Sequence, residues 1–327
     1  MDSTFDLVKL LKYLIPIILN AGDMIKIVAE SGKLDTKTKG DDSPVTIADK
    51  TAQYIIASNI RKEYPDIHLV GEEGHVTKDI IPPWLEKKLV SSLVPFTPDG
   101  GSEFLVPTPY TDLSLGDGLK ESDLVMFIDP LDATQAFVRG NYFGVSVLCG
   151  VATKDGVPLL GVTYFPFRGD IKDCLYYGGK AVGIAPYILK KRGFPTDYPP
   201  AAEKKELHTT SSSSHYDKYC EEMRVNLESK FHLEMIPMNG AGGKMMSILT
   251  GDADLYFYPK FGTSYWDTCG PQAILETMGG FVTNKFGTPL LYPVTEPMVT
   301  SNADGVLAFS SHELFEVLKE KEILIKE

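Results

Sequence analysis

The chain has 327 residues, 43% of them hydrophobic, and a formal charge of -12. That length can bury a core as one large domain or as two of medium size. The acidic balance, with few long basic runs, argues against a binder of duplex nucleic acid, yet it leaves room for a small anionic ligand, because bound cations can reverse the local sign. Cys149, Cys174, Cys220 and Cys269 lie far apart and form no CxxC. That usage indicates reduced thiols in a cytoplasmic protein, not a disulfide frame or a zinc site. The stretch "LLKYLIPIILNAG" is short and interrupted by Lys12, and Asp2 and Asp6 stand ahead of it where a signal peptide would be basic. It reads as an amphipathic helix that neither directs export nor spans a membrane.

In chain order, Phe5 to about Ala29 carries apolar residues at spacings of three and four and is expected to be helical. "KGDDSPVTIAD" is a loop that enters a second helix ending near Arg61, and "DIHLVGEEG" is a short strand closed by a glycine turn. Val76 to Lys120 is irregular and rich in Pro, Gly and Ser, with a small helix near Trp84–Val90. An insertion of that length suggests a surface lobe or lid. "LVMFID" is a strand, "GVSVLCGVATKDGVPLLGVTYFP" is two strands joined at Lys154-Asp155-Gly156, and "DCLYYGG" is a third. Composition shifts near Gly178–Pro200, which suggests an N-terminal α+β domain over 1–178. A C-terminal domain over 179–327 would follow, where helices and short strands alternate in α/β fashion.

The acidic residues stand in places that invite two readings. In "VMFIDPLDATQAF" an apolar strand stops at Asp129, and Asp132 follows after a Pro-Leu spacer. The pair is either a solvated turn with Asp132 as a helix N-cap, or a site for a hard divalent cation with the Leu131 carbonyl as a further oxygen. In the second case the amides of Ala133 and Thr134 open a helix and can hold phosphate. Glu72 and Glu73 in "VGEEG" follow a strand end. Asp49 in "TIAD" fits capping-box spacing, and Asp267 in "YWDTCGPQAIL" could be a plain cap. His215 in "SSSSH" would ordinarily be a surface histidine.

Taken together and in this order, "SPVTIAD", "GEE", "DPLDAT" and "WDTCGPQAIL" resemble the lithium-sensitive, magnesium-dependent phosphatases related to inositol monophosphatase. The resemblance spans almost the whole chain. Within that family, "WDTCGPQAILETMGG", "GAGGK" and "TTSSSSH" look most like the 3'(2'),5'-bisphosphate nucleotidases, with the inositol polyphosphate 1-phosphatases close behind. There are departures. Ala133 stands where the family has Gly or Ser, Ser213 where an arginine is common, and Tyr258 where fungal nucleotidases place an arginine.

The resemblance implies a layered αβαβα fold with the active site between the two domains. It implies Mg2+ at two to three ions per site, one on Glu72, Asp129 and the Leu131 carbonyl and a second on Asp129, Asp132 and Asp267. It implies that Asp49 and Thr134 orient and deprotonate the attacking water, and that the amides of Ala133 and Thr134 hold phosphate. Ser212, His215, Gly240 and Lys244 match positions that contact the rest of the substrate, Lys244 as the partner of a second phosphate. The implied reaction removes the 3'-phosphate of 3'-phosphoadenosine 5'-phosphate, with secondary action on inositol 1,4-bisphosphate, in a cytoplasmic monomer without nucleic-acid or membrane partners. The alternatives are an inositol polyphosphate 1-phosphatase and a catalytically dead regulator that binds such phosphates.

Overall fold

In the computed structural model of the chain, residues 4–92, 117–192, 200–212 and 217–325 are described. Helix α1 (Leu7–Ser31) starts on Asp6, whose side chain accepts from the Lys9 amide, and stops at Gly32 in the left-handed region. It buries Leu7, Leu10, Leu11, Leu14 and Ile18 along one face. A short hairpin of β1 (Lys37–Thr38) and β2 (Pro44–Val45) leads into α2 (Ile47–Glu63), which lies against α1. Strand β3 (His68–Gly71) and helix α3 (Pro83–Ser92) follow. Of the long insertion, residues 93–116 lie outside the described set.

The first sheet is then completed. Strand β4 (Leu124–Asp132) runs into α4 (Thr134–Val138), and β5 (Ser146–Thr153), β6 (Pro158–Tyr164), α5 (Ile171–Cys174), β7 (Leu175–Gly179), β8 (Gly183–Ile184) and α6 (Pro186–Arg192) follow. The order is β3-β4-β5-β6-β7-β8, with only β3 and β4 parallel. Strand β4 is buried along its whole length, because α1 and α2 cover one face of this sheet and a second helical layer covers the other.

That second layer comes from the rest of the chain. It contains β9 (Glu206–Thr210), α7 (Lys218–Glu228), β10 (His232–Met235), α8 (Ala241–Thr250), β11 (Leu255–Tyr258), α9 (Tyr265–Thr277), β12 (Phe281–Thr283), β13 (Val306–Phe309) and α10 (His312–Glu320). Its sheet has the order β10-β9-β11-β13-β12. Alternation along β11 shows two buried faces: Leu255 and Phe257 pack with Leu227 and Leu314 of α7 and α10, while Tyr256 and Tyr258 join the core that contains α8. Helices α8 and α9 touch each other and both sheets, so the layers run helix, sheet, helix, sheet, helix.

Close approach of α9 to the first sheet depends on three glycines. Gly150 and Gly161 face each other across β5 and β6. A Cβ on Gly150 would lie 2.3 Å from the Gly270 amide, and one on Gly270 would lie 2.4 Å from the Cys149 carbonyl. Helix backbone therefore rests directly on strand backbone. An aromatic triad of Phe127, Tyr265 and Tyr292, with ring centroids 5.2 to 6.0 Å apart, fixes the start of α9 against β4.

Candidate active site

The Asp129–Asp132 spacing is explained by the register of β4. Asp129 pairs with Leu148 and Asp132 with Ser146, so three steps on β4 oppose two on β5. In an unbroken strand, residues three apart point to opposite faces; one extra residue brings both carboxylates to the same face. Pro130 suits the bulge because it has no amide to leave unpaired. The Leu131 amide donates to Asp129 Oδ1 at 2.9 Å and fixes that side chain. Asp132 is the last residue of β4, and the N-cap position of α4 falls to Ala133, not to Asp132.

Asp267 arrives from the first turn of α9. It completes a capping box with Ser264, which holds the N-cap position itself. The preceding loop is pinned by Asn302, whose amide donates to Thr263 Oγ1 at 3.0 Å, the Ser264 carbonyl at 3.0 Å and Thr268 Oγ1 at 3.2 Å. Oxygens of Asp129, Asp132 and Asp267 all lie within 4.8 Å of one another. Burial first, and then repulsion within the group and from Glu72, raises the carboxyls of Asp129 and Asp267 well above the usual range. Asp132 is also raised by burial, although Lys244 and the amides at the start of α8 oppose that. Those amides, Ala241 at 3.2 Å and Gly242 at 2.9 Å, donate to the two Asp132 oxygens. The helix can come that close because Gly240 has no side chain: a Cβ there would lie 2.3 Å from Asp132 Oδ2.

Glu72 follows β3, and its amide donates to the Ile128 carbonyl at 3.0 Å, one residue before Asp129. Gln53 of α2 braces this turn by donating to the Gly74 carbonyl at 3.0 Å. Lys39, on the β1–β2 hairpin, reaches Glu72 Oε1 at 2.7 Å and also pairs with Glu73. Sequence reasoning missed Lys39, since no local pattern links a hairpin lysine to glutamates 33 and 34 positions later.

Asp49 has two roles in the geometry. One oxygen accepts from the Thr46 amide at 2.7 Å and from the Thr46 hydroxyl at 2.6 Å, the capping box that its spacing suggested. The other lies 3.0 Å from Thr134 Oγ1, whose single proton can go to it or to the Leu131 carbonyl at 2.9 Å. Burial, reinforced by Glu73 and Glu72 and opposed by the Thr46 hydrogen bonds, pushes the Asp49 carboxyl up to about 7. Ala133, next to Thr134, has φ +68°, a left-handed conformation that suits the glycine of the family pattern better than alanine.

Lys244 is almost wholly buried. Its ammonium donates to the Gly240 carbonyl at 3.1 Å and feels both Asp132 and Asp267. Ser212 lines a hollow of about 590 Å3 together with Phe143, Met238 and Asn239, the residue before Gly240. His215, with Ser213, lies outside the described residues.

The cluster's donors are all carboxylate oxygens, crowded, with Asp129 and Asp132 buried and Asp267 half-buried. Such a set fits a hard divalent cation, whose charge would relieve the repulsion that raises these carboxyls. Residues 6–314 match the inositol monophosphatase family. The chain belongs to that family. Among curated relatives, this inositol monophosphatase family member is 31% identical to "3'(2'),5'-bisphosphate nucleotidase 1" of Dictyostelium discoideum, over 96% of the chain and 97% of the relative. It is 29% identical to the protein of the same name from Rattus norvegicus, over 88% of the chain and 86% of the relative. Among solved structures, the extragenic suppressor protein SuhB of Bartonella henselae superposes with a TM-score of 0.65 at 17% identity, covering 97% of this chain and 99% of that one. The inositol monophosphatase of Thermotoga maritima gives 0.60 at 18% identity, covering 94% and 96%. These structures share the layered αβαβα fold that the motifs implied.

Proposed function

We propose that the chain is a Mg2+-dependent phosphomonoesterase that removes the 3'-phosphate of 3'-phosphoadenosine 5'-phosphate and leaves AMP. The observation that carries this reading is the Thr134–Asp49 contact at 3.0 Å beside a cluster of three aspartates, Asp129 and Asp132 buried and Asp267 half-buried. Glu72, Asp129, the Leu131 carbonyl, Asp132 and Asp267 would hold two to three ions. When bound, these would supply charge to clamp the phosphate, acidify water and stabilise the leaving oxygen.

The protein groups do the rest. Thr134 Oγ accepts a hydrogen bond from the attacking water and passes its own proton towards Asp49, whose raised affinity suits a base at neutral pH. The water oxygen bonds to phosphorus, the bond from phosphorus to the 3'-oxygen breaks, and that oxygen takes up a proton. The amides of Ala133 and Thr134 orient the phosphate. Gly240 and Lys244 would serve the second phosphate, and Ser212 and His215 are proposed as further substrate contacts. The proposed units over 1–178 and 179–327 would then divide the work: the first brings Asp49, Glu72, Asp129 and Asp132, the second brings Asp267 and the substrate contacts. The four cysteines form no disulfide, which suits the cytoplasm, and the assembly proposed is a monomer.

A second reading makes inositol 1,4-bisphosphate the main substrate. Neutral residues at Ser213, where an arginine is common in the family, and at Tyr258, where fungal nucleotidases place one, favour it. One comparison separates the two: initial rates of phosphate release from 3'-phosphoadenosine 5'-phosphate, inositol 1,4-bisphosphate and AMP in Mg2+. The nucleotide bisphosphate is expected to give the highest kcat/KM and AMP little. A charge-assisted contact to a second phosphate would favour the bisphosphate over AMP by about 10- to 150-fold. Equal efficiency on AMP would overturn the second-phosphate site.

A further inference from the structure

We propose that Phe143 is the platform on which the base of a nucleotide substrate stacks, an inference that rests on the nucleotidase reading above. Phe143 is 61% exposed. Single exposed aromatics are ordinary; this one is braced. The Arg168 guanidinium lies 4.6 Å from the Phe143 ring centroid, and the same group stacks on Phe165 at 3.5 Å. Arg168 Nε donates to the Phe143 carbonyl at 3.1 Å, and its Nη2 lies 3.8 Å from Met238 Sδ. The ring therefore has one face backed by a fixed cation and a main chain that is tied down.

Two hollows meet at this ring. Arg168 lines one of about 390 Å3. Ser211, Ser212, Pro237 and Asn239 line the other, of about 590 Å3, and Arg168 does not. The second hollow lies beside the carboxylates through its lining residue Asn239: Gly144 abuts Asn239, where a Cβ would lie 2.7 Å from the carbonyl, and Gly240, next in the chain, abuts Asp132. A nucleotide with its 3'-phosphate at Asp132 would thus have its base over the seam where Phe143 stands. A flat neutral π-face recognises any base by stacking, and the serine edge across the hollow offers polar partners.

The test compares Phe143→Ala and Phe143→Tyr with the unmutated enzyme. Phe143→Ala is expected to lower kcat/KM for 3'-phosphoadenosine 5'-phosphate about tenfold or more, with the loss in KM. The inhibition constant of inorganic phosphate, which has no base, should stay put, and Phe143→Tyr should restore KM. A parallel loss for inorganic phosphate, or no loss at all, overturns the proposal. If the unmutated enzyme does not hydrolyse this nucleotide, the nucleotidase reading falls. Calorimetric binding of adenosine 3',5'-bisphosphate then decides the platform: tenfold weakening in Phe143→Ala supports it, and unchanged affinity or no binding to either form overturns it.

Discussion

At the scale of single residues, Asp49 shows how one carboxylate can cap a helix and serve a site. Its capping role was legible in "TIAD" from local spacing; its pairing with Thr134, 85 positions later, came only from the family resemblance, because the packing of α2 against β4 creates the contact and no local pattern shows it. In metal-free protein, Asp49 holds its proton up to about pH 7, whereas in the unfolded chain it titrates in the ordinary carboxylate range. The folded state therefore binds more protons between these limits. Its contribution makes stability fall as pH rises from about 4 to about 7 and is flat beyond. Asp49→Asn keeps an acceptor for Thr46 and removes this cost. The variant is expected to melt no lower than the parent at pH 8 in chelator and to lose about 10²- to 10⁴-fold in kcat. A near-native kcat would reduce Asp49 to a cap. In the unmutated enzyme the rate should rise with pH as Asp49 ionises, at or below pH 7 once bound cations lower its pKa. Ala133 gives a second test. Its left-handed backbone costs an L-residue about 1–2 kcal/mol, so Ala133→Gly should raise the denaturant midpoint. A lower midpoint would show that the methyl group contributes packing instead.

At the scale of elements, the periodic helices and the apolar strands were readable, to within about two residues for α1. The hairpin signal Lys154-Asp155-Gly156 was also readable, because each rests on local spacing. The two-residue strands β1, β2 and β8 were not, being too short to show a pattern. The bulge in β4 was visible only as an oddity, since its meaning depends on the register against β5. The seating of α9 was hidden for the same reason: three glycines far apart in sequence make one contact. Gly270→Ala tests that contact. The added carbon meets backbone on β5, so α9 must shift, at an expected cost of about 1–3 kcal/mol. Asp267 lies one turn earlier and moves with it, and a displacement near 1 Å can cost about 10²-fold in rate. The loss of kcat should therefore exceed what the stability loss explains. Wild-type kinetics in this variant would mean that α9 does not set the position of Asp267.

At the scale of the molecule, five layers bring carboxylates from β4 and α9 to one point, with Glu72 of the turn after β3 beside them, in a protein that already carries a net charge of -12. Divalent cations compete with protons for such a cluster. Mg2+ should therefore raise the melting temperature more at pH 8 than at pH 5, where the raised carboxyls keep their protons. Ca2+ accepts more ligands at longer distances and should bind while inhibiting. The resemblance adds inhibition by Li+. Activity indifferent to both ions at millimolar levels would count against the proposed Mg2+ chemistry. The most direct test is a titration of Mg2+ into chelator-treated protein at pH 8, with phosphate release from 3'-phosphoadenosine 5'-phosphate as the readout and Asp129→Asn in parallel. The predicted result is no release in chelator, a saturable rise with Mg2+ in the unmutated enzyme, and none in the variant; undiminished release in chelator, or from Asp129→Asn, would contradict it.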